Sequence, residues 1–497
     1  MARRLTLADI SHLPYPGTAV PASIAFSPDG GALTYLHSAD GTLVRSLWWH
    51  DLASGERRVV CGPSPDTEAE ASLSVEEQLR RERTRTSELG VTDYAWARHA
   101  PQATVLVPLG GQLFVSRDGG TAQPIEGIGG VSAASIAPDG RRVAYVADGN
   151  LWLIALDGTP PQRVTDDAEP GLFNGLAEYA AAEELERFEG MWWSHDGSLL
   201  AYAHVDERNV PPFVIAHLGA ERPEHEVHRY PFAGGPNAQV SLRVVGATDP
   251  GPGAEVELGI GDGYLARVVP EPSGGWLVAV LPRDQRSLRW LRVAPSGRAT
   301  ELWTEVADPW LNLDVHTRVL DDGRILRSTE RSGFRHLELR TADGGQGPTL
   351  TAGDWMVTGV VHADARRNEV LFMATAEGSM ERHLYAVPLD PSAPATRPER
   401  LTAEPGWHAA VASDDGSRWV DTWSSTERSP EVVLRARHDG ERAVLHAATE
   451  SAAAMGLRAP ELRQLTAGDG STVLNAAMYH PAEPASNPPP CVVWVYG

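Results

Sequence analysis

Short apolar runs recur along the chain, each closed by a polar turn, and several of the turns repeat one spelling. Phe26-Ser27-Pro28-Asp29-Gly30, Ile136-Ala137-Pro138-Asp139-Gly140, Trp193-Ser194-His195-Asp196-Gly197 and Ala412-Ser413-Asp414-Asp415-Gly416 are versions of it. Apolar runs such as Arg142-Val143-Ala144-Tyr145-Val146 and Leu199-Leu200-Ala201-Tyr202-Ala203 follow. Asp-Gly between two such runs predicts a hairpin, because glycine accepts the positive φ that the turn demands. A second pattern lies downstream. Asn150-Leu151-Trp152-Leu153-Ile154-Ala155-Leu156-Asp157 leads to Arg163-Val164-Thr165, and His383-Leu384-Tyr385-Ala386-Val387-Pro388-Leu389-Asp390 leads to Arg400-Leu401-Thr402. Strand, turn, strand, turn, strand at a recurring period predicts a β-propeller blade.

Blade starts are predicted near Phe26, Tyr94, Ile136, Trp193, Trp276, Val315, Val361 and Val411, which makes eight. Most intervals are about 40–50 residues, the size of a four-stranded blade. Longer intervals must carry insertions. A sandwich would also supply many short strands, but it would not repeat one turn motif so far along the chain. The predicted fold class is all-β: an N-terminal segment over residues 1–20, then an eight-bladed β-propeller over 21–455.

Two insertions break the strand pattern, and loops held by a rigid scaffold are where chemistry concentrates. Ser74-Val75-Glu76-Glu77-Gln78-Leu79-Arg80-Arg81 opens with a capping box, Ser74 and Glu77, so a helical insertion is predicted near 74–88. Glu76–Arg80 and Glu77–Arg81 pair at i,i+4, which on composition alone describes a solvated, self-paired helix. A second helical insertion, near 176–188, is rich in alanine, glutamate and leucine and runs into Met191-Trp192-Trp193. Composition alone makes it an acidic surface helix.

Composition narrows the function classes. The 48 glycines and 38 prolines are spread along the whole chain, as frequent turns require. A net charge of −23 argues against nucleic acid, whose phosphates would be repelled. Only Cys61 and Cys491 occur, so no disulfide framework is expected and a reducing compartment is favoured. The basic start Met1-Ala2-Arg3-Arg4 is followed by no apolar leader core, and no apolar run is long enough to span a membrane. A cytoplasmic location without membrane contact is the expectation. No Cys/His cluster has metal-ligand spacing and no phosphate-binding loop is present, so neither metal nor cofactor is expected.

The run Glu183-Glu184-Leu185-Glu186-Arg187-Phe188-Glu189-Gly190-Met191-Trp192-Trp193-Ser194 resembles the double-glutamate helix of the dipeptidyl peptidase IV family. Its spacing is nearest to bacterial members and to the cytosolic dipeptidyl peptidases eight and nine. Leu79-Arg80-Arg81-Glu82-Arg83-Thr84-Arg85 resembles the arginine-bearing helix of the same enzymes. Ser332-Gly333-Phe334-Arg335-His336-Leu337 and Val420-Asp421-Thr422-Trp423-Ser424-Ser425 also resemble family propeller segments.

The resemblance implies a substrate-gating propeller of a serine exopeptidase that removes N-terminal dipeptides, with Pro or Ala at the second position. Glu183 and Glu184 would hold the free amine of the peptide, an ammonium with donors and no acceptor. Arg83 or Arg85 would hold the backbone carbonyl near the second residue. The amine would then anchor about 7 Å of extended chain, so the bond after residue two is the one presented. Residues 456–497 would be the first strands of an incomplete α/β-hydrolase domain: Leu462–Ala467, Val473–Tyr479 and Cys491–Gly497, with Pro488-Pro489-Pro490 as the turn before the last. Tyr496 matches the family tyrosine that helps form the oxyanion hole. No Gly-x-Ser-x-Gly elbow occurs, so the nucleophile, acid and histidine would lie beyond Gly497 and these residues alone are expected to be inactive. His195, in a turn, and His336, beside a strand, are expected to be structural. The expected partner is a peptide with a free N-terminus, and the resemblance allows a homodimer of the complete enzyme. The competing class is a noncatalytic propeller that binds peptides or proteins. The hydrolase-like opening after residue 456 favours the enzyme.

Overall fold

The Ser-x-Asp-Gly turns show why the repeat folds as it does. In each, the serine hydroxyl donates to the aspartate two residues on: Ser27 to Asp29 at 2.6 Å, Ser194 to Asp196 at 2.7 Å, Ser413 to Asp415 at 2.6 Å. The same oxygen accepts the amide that opens the next strand, from Ala32, Leu199 and Arg418. The glycine between them is left-handed, with φ of 69° at Gly30, 72° at Gly197 and 64° at Gly416. The downstream pattern has its own device. Thr165, Thr351 and Thr402 each accept an amide of the third strand through Oγ1, from Leu151 at 2.9 Å, Leu337 at 3.0 Å and Leu384 at 3.2 Å. The threonine lies two residues past the end of the fourth strand and ties that end to the third.

The computed structural model describes residues 5–63, 81, 85–217, 224–251, 253–390, 392, 394–437, 442–449, 451–481 and 490–495. Among them, eight sheets of four or five strands, antiparallel but for one short added strand in the first, follow one another along the chain. They are blade I (Ala22–Phe26 to Arg57–Cys61), II (Ala95–Trp96 to Gln123–Pro124), III (Val131–Ile136 to Gln162–Arg163) and IV (Leu172–Asn174 to Ala254–Val256). Blades V (Tyr264–Pro270 to Ala299–Val306), VI (Arg318–Val319 to Gln346–Thr349), VII (Val357–Asp364 to Glu399–Arg400) and VIII (Trp407–Ala412 to Arg442–His446) complete the set. Blade IV also carries a hairpin, Pro212–His217 with Glu224–Arg229, between its second and third full-length strands.

Each blade is sandwiched between two others, so its middle strands are apolar on both faces. In Glu369–Ala374 of blade VII, Leu371 and Met373 pack towards Trp419 of blade VIII, while Val370 and Phe372 pack towards Leu326 and Leu337 of blade VI. A similar cluster fills every junction, including the last. Phe26 and Leu33 of blade I meet Val420, Val432 and Leu434 of blade VIII, which closes the ring. Arg418 donates to the Gly30 carbonyl at 2.5 Å and Arg57 to the Leu445 carbonyl at 3.0 Å across the same seam.

The eight predicted starts fall on or beside innermost strands, with one correction. Trp276 opens the second strand of blade V, Trp276–Leu281, and the innermost strand is Tyr264–Pro270. The turn before Trp276 is Glu271-Pro272-Ser273-Gly274-Gly275, which lacks the Ser-x-Asp-Gly spelling and displaced the reading by one strand. Trp276 itself is completely buried between blades IV and V and donates to the Trp192 carbonyl at 3.2 Å.

After blade VIII, Glu461–Thr466 and Val473–Met478 pair as an exposed antiparallel hairpin. The third predicted strand does not form among the described residues. Residues 492–495 are 79–92% exposed and pair with nothing, and an extended run becomes a strand only beside a partner that takes its backbone hydrogen bonds. Tyr496, most of the predicted insertion near 74–88 and Arg83 within it lie outside the described residues. No helix among the described residues is long and apolar enough to cross a membrane.

Candidate functional site

The second insertion leaves blade IV from the middle of its innermost strand. Leu172–Asn174 pairs with Asp206–His204, and Met191–Trp193 resumes the pairing at Tyr202–Leu200. Between them only Ala203 is left opposite, and it closes the gap from both sides: its carbonyl accepts from Gly175 at 2.8 Å and its amide donates to Gly190 at 2.9 Å. Residues 176–189 are thus an excursion that starts and returns at one point on the sheet. The two glycines make that neck possible. A Cβ on Gly190 would stand 2.4 Å from the Gly175 carbonyl carbon, and Gly175 has φ 74°.

Within the excursion, the helix Tyr179–Glu184 is shorter than the predicted 176–188. The chain reverses after it: Glu186 is left-handed at φ 52°, and the Arg187 amide donates back to the Ala181 carbonyl at 2.9 Å. Ala180, Ala181, Ala182 and Leu185 form the buried side, and Leu185 enters the core that joins blades V and VI. Glu183 and Glu184 stand adjacent on the exposed side. The helix is therefore docked by small apolar residues with its two carboxylates turned outward.

The support beneath was not apparent from sequence. Arg187 and Glu178 are 2% and 1% exposed, and Arg187 Nη2 is ion-paired with Glu178 Oε2. Arg187 also donates through Nε to the Leu265 carbonyl at 2.8 Å and through Nη1 to the Glu189 carbonyl at 2.7 Å, with its guanidinium 5.7 Å from the Trp192 ring. Arg267, on the innermost strand of blade V, donates to the Leu185 carbonyl at 2.6 Å. Burial lowers the Arg267 pKa from its ordinary value, and a guanidinium still carries its charge. An arginine in a run of glutamates was the one local signal for Arg187. Glu178 and Arg267 carried none.

The helix also meets an aromatic group from the blade IV hairpin and the residues just after it. Tyr179 lies edge-on to Tyr230 at 5.2 Å, and Tyr230 contacts Phe232 at 4.8 Å and Phe213 at 6.2 Å.

Arg85 is exposed and left-handed, φ 51°, on the connection from blade I to blade II. It lines a cavity of about 260 Å³ with Tyr15, His37, Arg45 and Glu88, where Arg45 and Glu88 are ion-paired at 2.7 Å. The return strand Leu89–Gly90 pairs in parallel with Val44 and Arg45, which ties this connection to the third strand of blade I. The structure thus brings Glu183 and Glu184 together on one helix and sets Arg85 on a different blade connection. The two histidines singled out have structural partners. His336 contacts Thr351 Oγ1 at 3.1 Å and the Gly353 carbonyl at 2.9 Å, and His195 packs edge-on against His99 at 4.2 Å. Among the described residues, no group of His, Cys, Asp and Glu is arranged to hold a metal ion.

Residues 114–430, more than half of the chain, match the family described as the dipeptidyl peptidase IV (DPP IV) N-terminal region. Among curated relatives, a "Probable dipeptidyl-aminopeptidase B" of Tuber melanosporum is 30% identical over 315 residues, 56% of this chain and 34% of the relative. A "Probable dipeptidyl peptidase 4" of Aspergillus fumigatus is 29% identical over 285 residues, 52% of this chain and 36% of the relative. The matched part spans about a third of the length of these relatives. The crystal structure of Porphyromonas gingivalis dipeptidyl peptidase 4 superposes with a TM-score of 0.76 at 21% identity, covering 97% of this chain and 68% of that one.

Proposed function

Since this chain belongs to the dipeptidyl peptidase IV N-terminal region family, we propose that it is the substrate-gating propeller of a serine dipeptidyl peptidase. The observation that carries this reading is the pair Glu183 and Glu184, exposed side by side on a helix pinned to the scaffold. Two adjacent carboxylates receive the N–H donors of a peptide ammonium and offset the loss of its water. The arginine of the first insertion, Arg83 or Arg85, takes the carbonyl near the second residue. With the amine anchored, the peptide reaches only far enough to present the bond after residue two, and Pro or Ala at that position is the expected preference.

The hairpin Glu461–Thr466 with Val473–Met478 is read as the opening of the α/β-hydrolase domain, Tyr496 as an oxyanion-hole donor, and the complete enzyme as cytoplasmic. The full-length protein is taken as these residues joined to the rest of that domain. Its kcat/KM on a Gly-Pro chromogenic amide should fall at least about tenfold when the substrate amine is acetylated, because a charge-assisted bond is typically worth about 1.5–3 kcal/mol. Equal turnover of the free and acetylated substrates would contradict an amine clamp. Binding of free-amine peptides without any turnover would favour the noncatalytic module.

A further inference from the structure

Two carboxylates grip one ammonium only if their spacing and angle are held. The helix Tyr179–Glu184 has six residues, and an isolated helix so short is not stable in water. Its orientation must come from what lies beneath. We propose that the buried pair Glu178–Arg187 is the positioning device of the amine clamp, an inference that rests on the clamp reading above.

One planar guanidinium joins three parts of the site. It holds Glu178 at the N-terminal end of the helix, the Glu189 carbonyl where the excursion returns, and the Leu265 carbonyl on the innermost strand of blade V. Arg267 fixes the opposite end through the Leu185 carbonyl. The donors of an arginine radiate in a rigid plane, so these bonds set the rotation of the helix as well as its height. A second observation ties Glu178 to Arg187. Glu178 Oε1 is buried and makes no hydrogen bond among the described residues, so Arg187 is the group that neutralises this carboxylate. A buried ion pair is often no more stabilising than apolar residues of the same volume, and the role proposed for this one is to set direction.

The test uses the full-length enzyme with two substrates, a Gly-Pro chromogenic amide and its des-amino analogue, together with a thermal midpoint for every variant. Arg187→Ala would strand a buried carboxylate and could unfold the insertion. The informative variants are therefore Arg187→Lys, which keeps the charge but loses the planar fork, and the double variant Glu178→Leu with Arg187→Met. The expected result in both is a loss of about tenfold or more in kcat/KM for the free-amine substrate, in keeping with the cost of small misplacements in reacting groups. The des-amino substrate should stay within about twofold, because it never uses the clamp. Equal changes for the two substrates, or no change for either, would overturn the positioning role. Glu183→Gln and Glu184→Gln, run alongside, separate the two ideas. If they fail to distinguish the substrates, the clamp reading falls. If they distinguish them and the Arg187 variants do not, the positioning role alone falls.

Discussion

In the full-length enzyme, Glu183→Gln and Glu184→Gln are each expected to lower kcat/KM on a free-amine dipeptide amide by roughly one to two orders of magnitude. On the proposed reading, a peptide ammonium gives up water when it binds, and two carboxylates replace that water with charge-assisted bonds. Glutamine keeps an oxygen acceptor but loses the charge, so the bond weakens without leaving a hole. Both glutamates are exposed on the helix, and its buried side is Ala180, Ala181, Ala182 and Leu185. Neither substitution should therefore disturb the packing, and thermal midpoints should stay near that of the parent. Substrates with an acetylated amine should be poor already and should lose far less. A merely structural helix would instead damage both substrates alike.

The residues through Gly497, expressed by themselves, are expected to give no turnover of Gly-Pro or Ala-Pro chromogenic amides. Acyl transfer in this class needs a nucleophile, and no Gly-x-Ser-x-Gly elbow occurs among these residues. Without the nucleophile there is no covalent step for a bound peptide to enter, however well its amine is held. The measurement is release of the chromophore by the purified chain. Activity that persists through repeated purification and scales with protein concentration would show that these residues carry a catalytic group of their own.

Much of the fold was legible because its repeat is spelled in side chains that act locally. Ser27, Asp29 and Gly30 make their turn within a few residues, and Thr165 and Thr402 close their strands by one hydrogen bond each. Where the spelling lapses, legibility lapses too. Blade V turns on Glu271 and Gly274 instead, and its start was read one strand late, at Trp276. The outward face of the candidate site was legible as a resemblance, in Glu183 and Glu184. Its foundation was not. Glu178 and Arg187 are nine positions apart, outside any helical i,i+4 pairing, and meet only because the chain reverses at Glu186. Arg267 sits in an ordinary strand of another blade, and nothing local marks it as the donor to Leu185. Contacts made across blades depend on the closed ring, which no local pattern encodes.

On the proposed reading, an amine held by Glu183 and Glu184 acts as a ruler that sets the cut after the second residue. The direct measurement is mass spectrometry of the products when the full-length enzyme digests an unblocked peptide carrying Pro or Ala at position two. The expected products are the N-terminal dipeptide and the remainder shortened by two residues, with the acetylated peptide left largely intact. Release of single residues or tripeptides, or cleavage at internal prolines of the acetylated peptide, would contradict it.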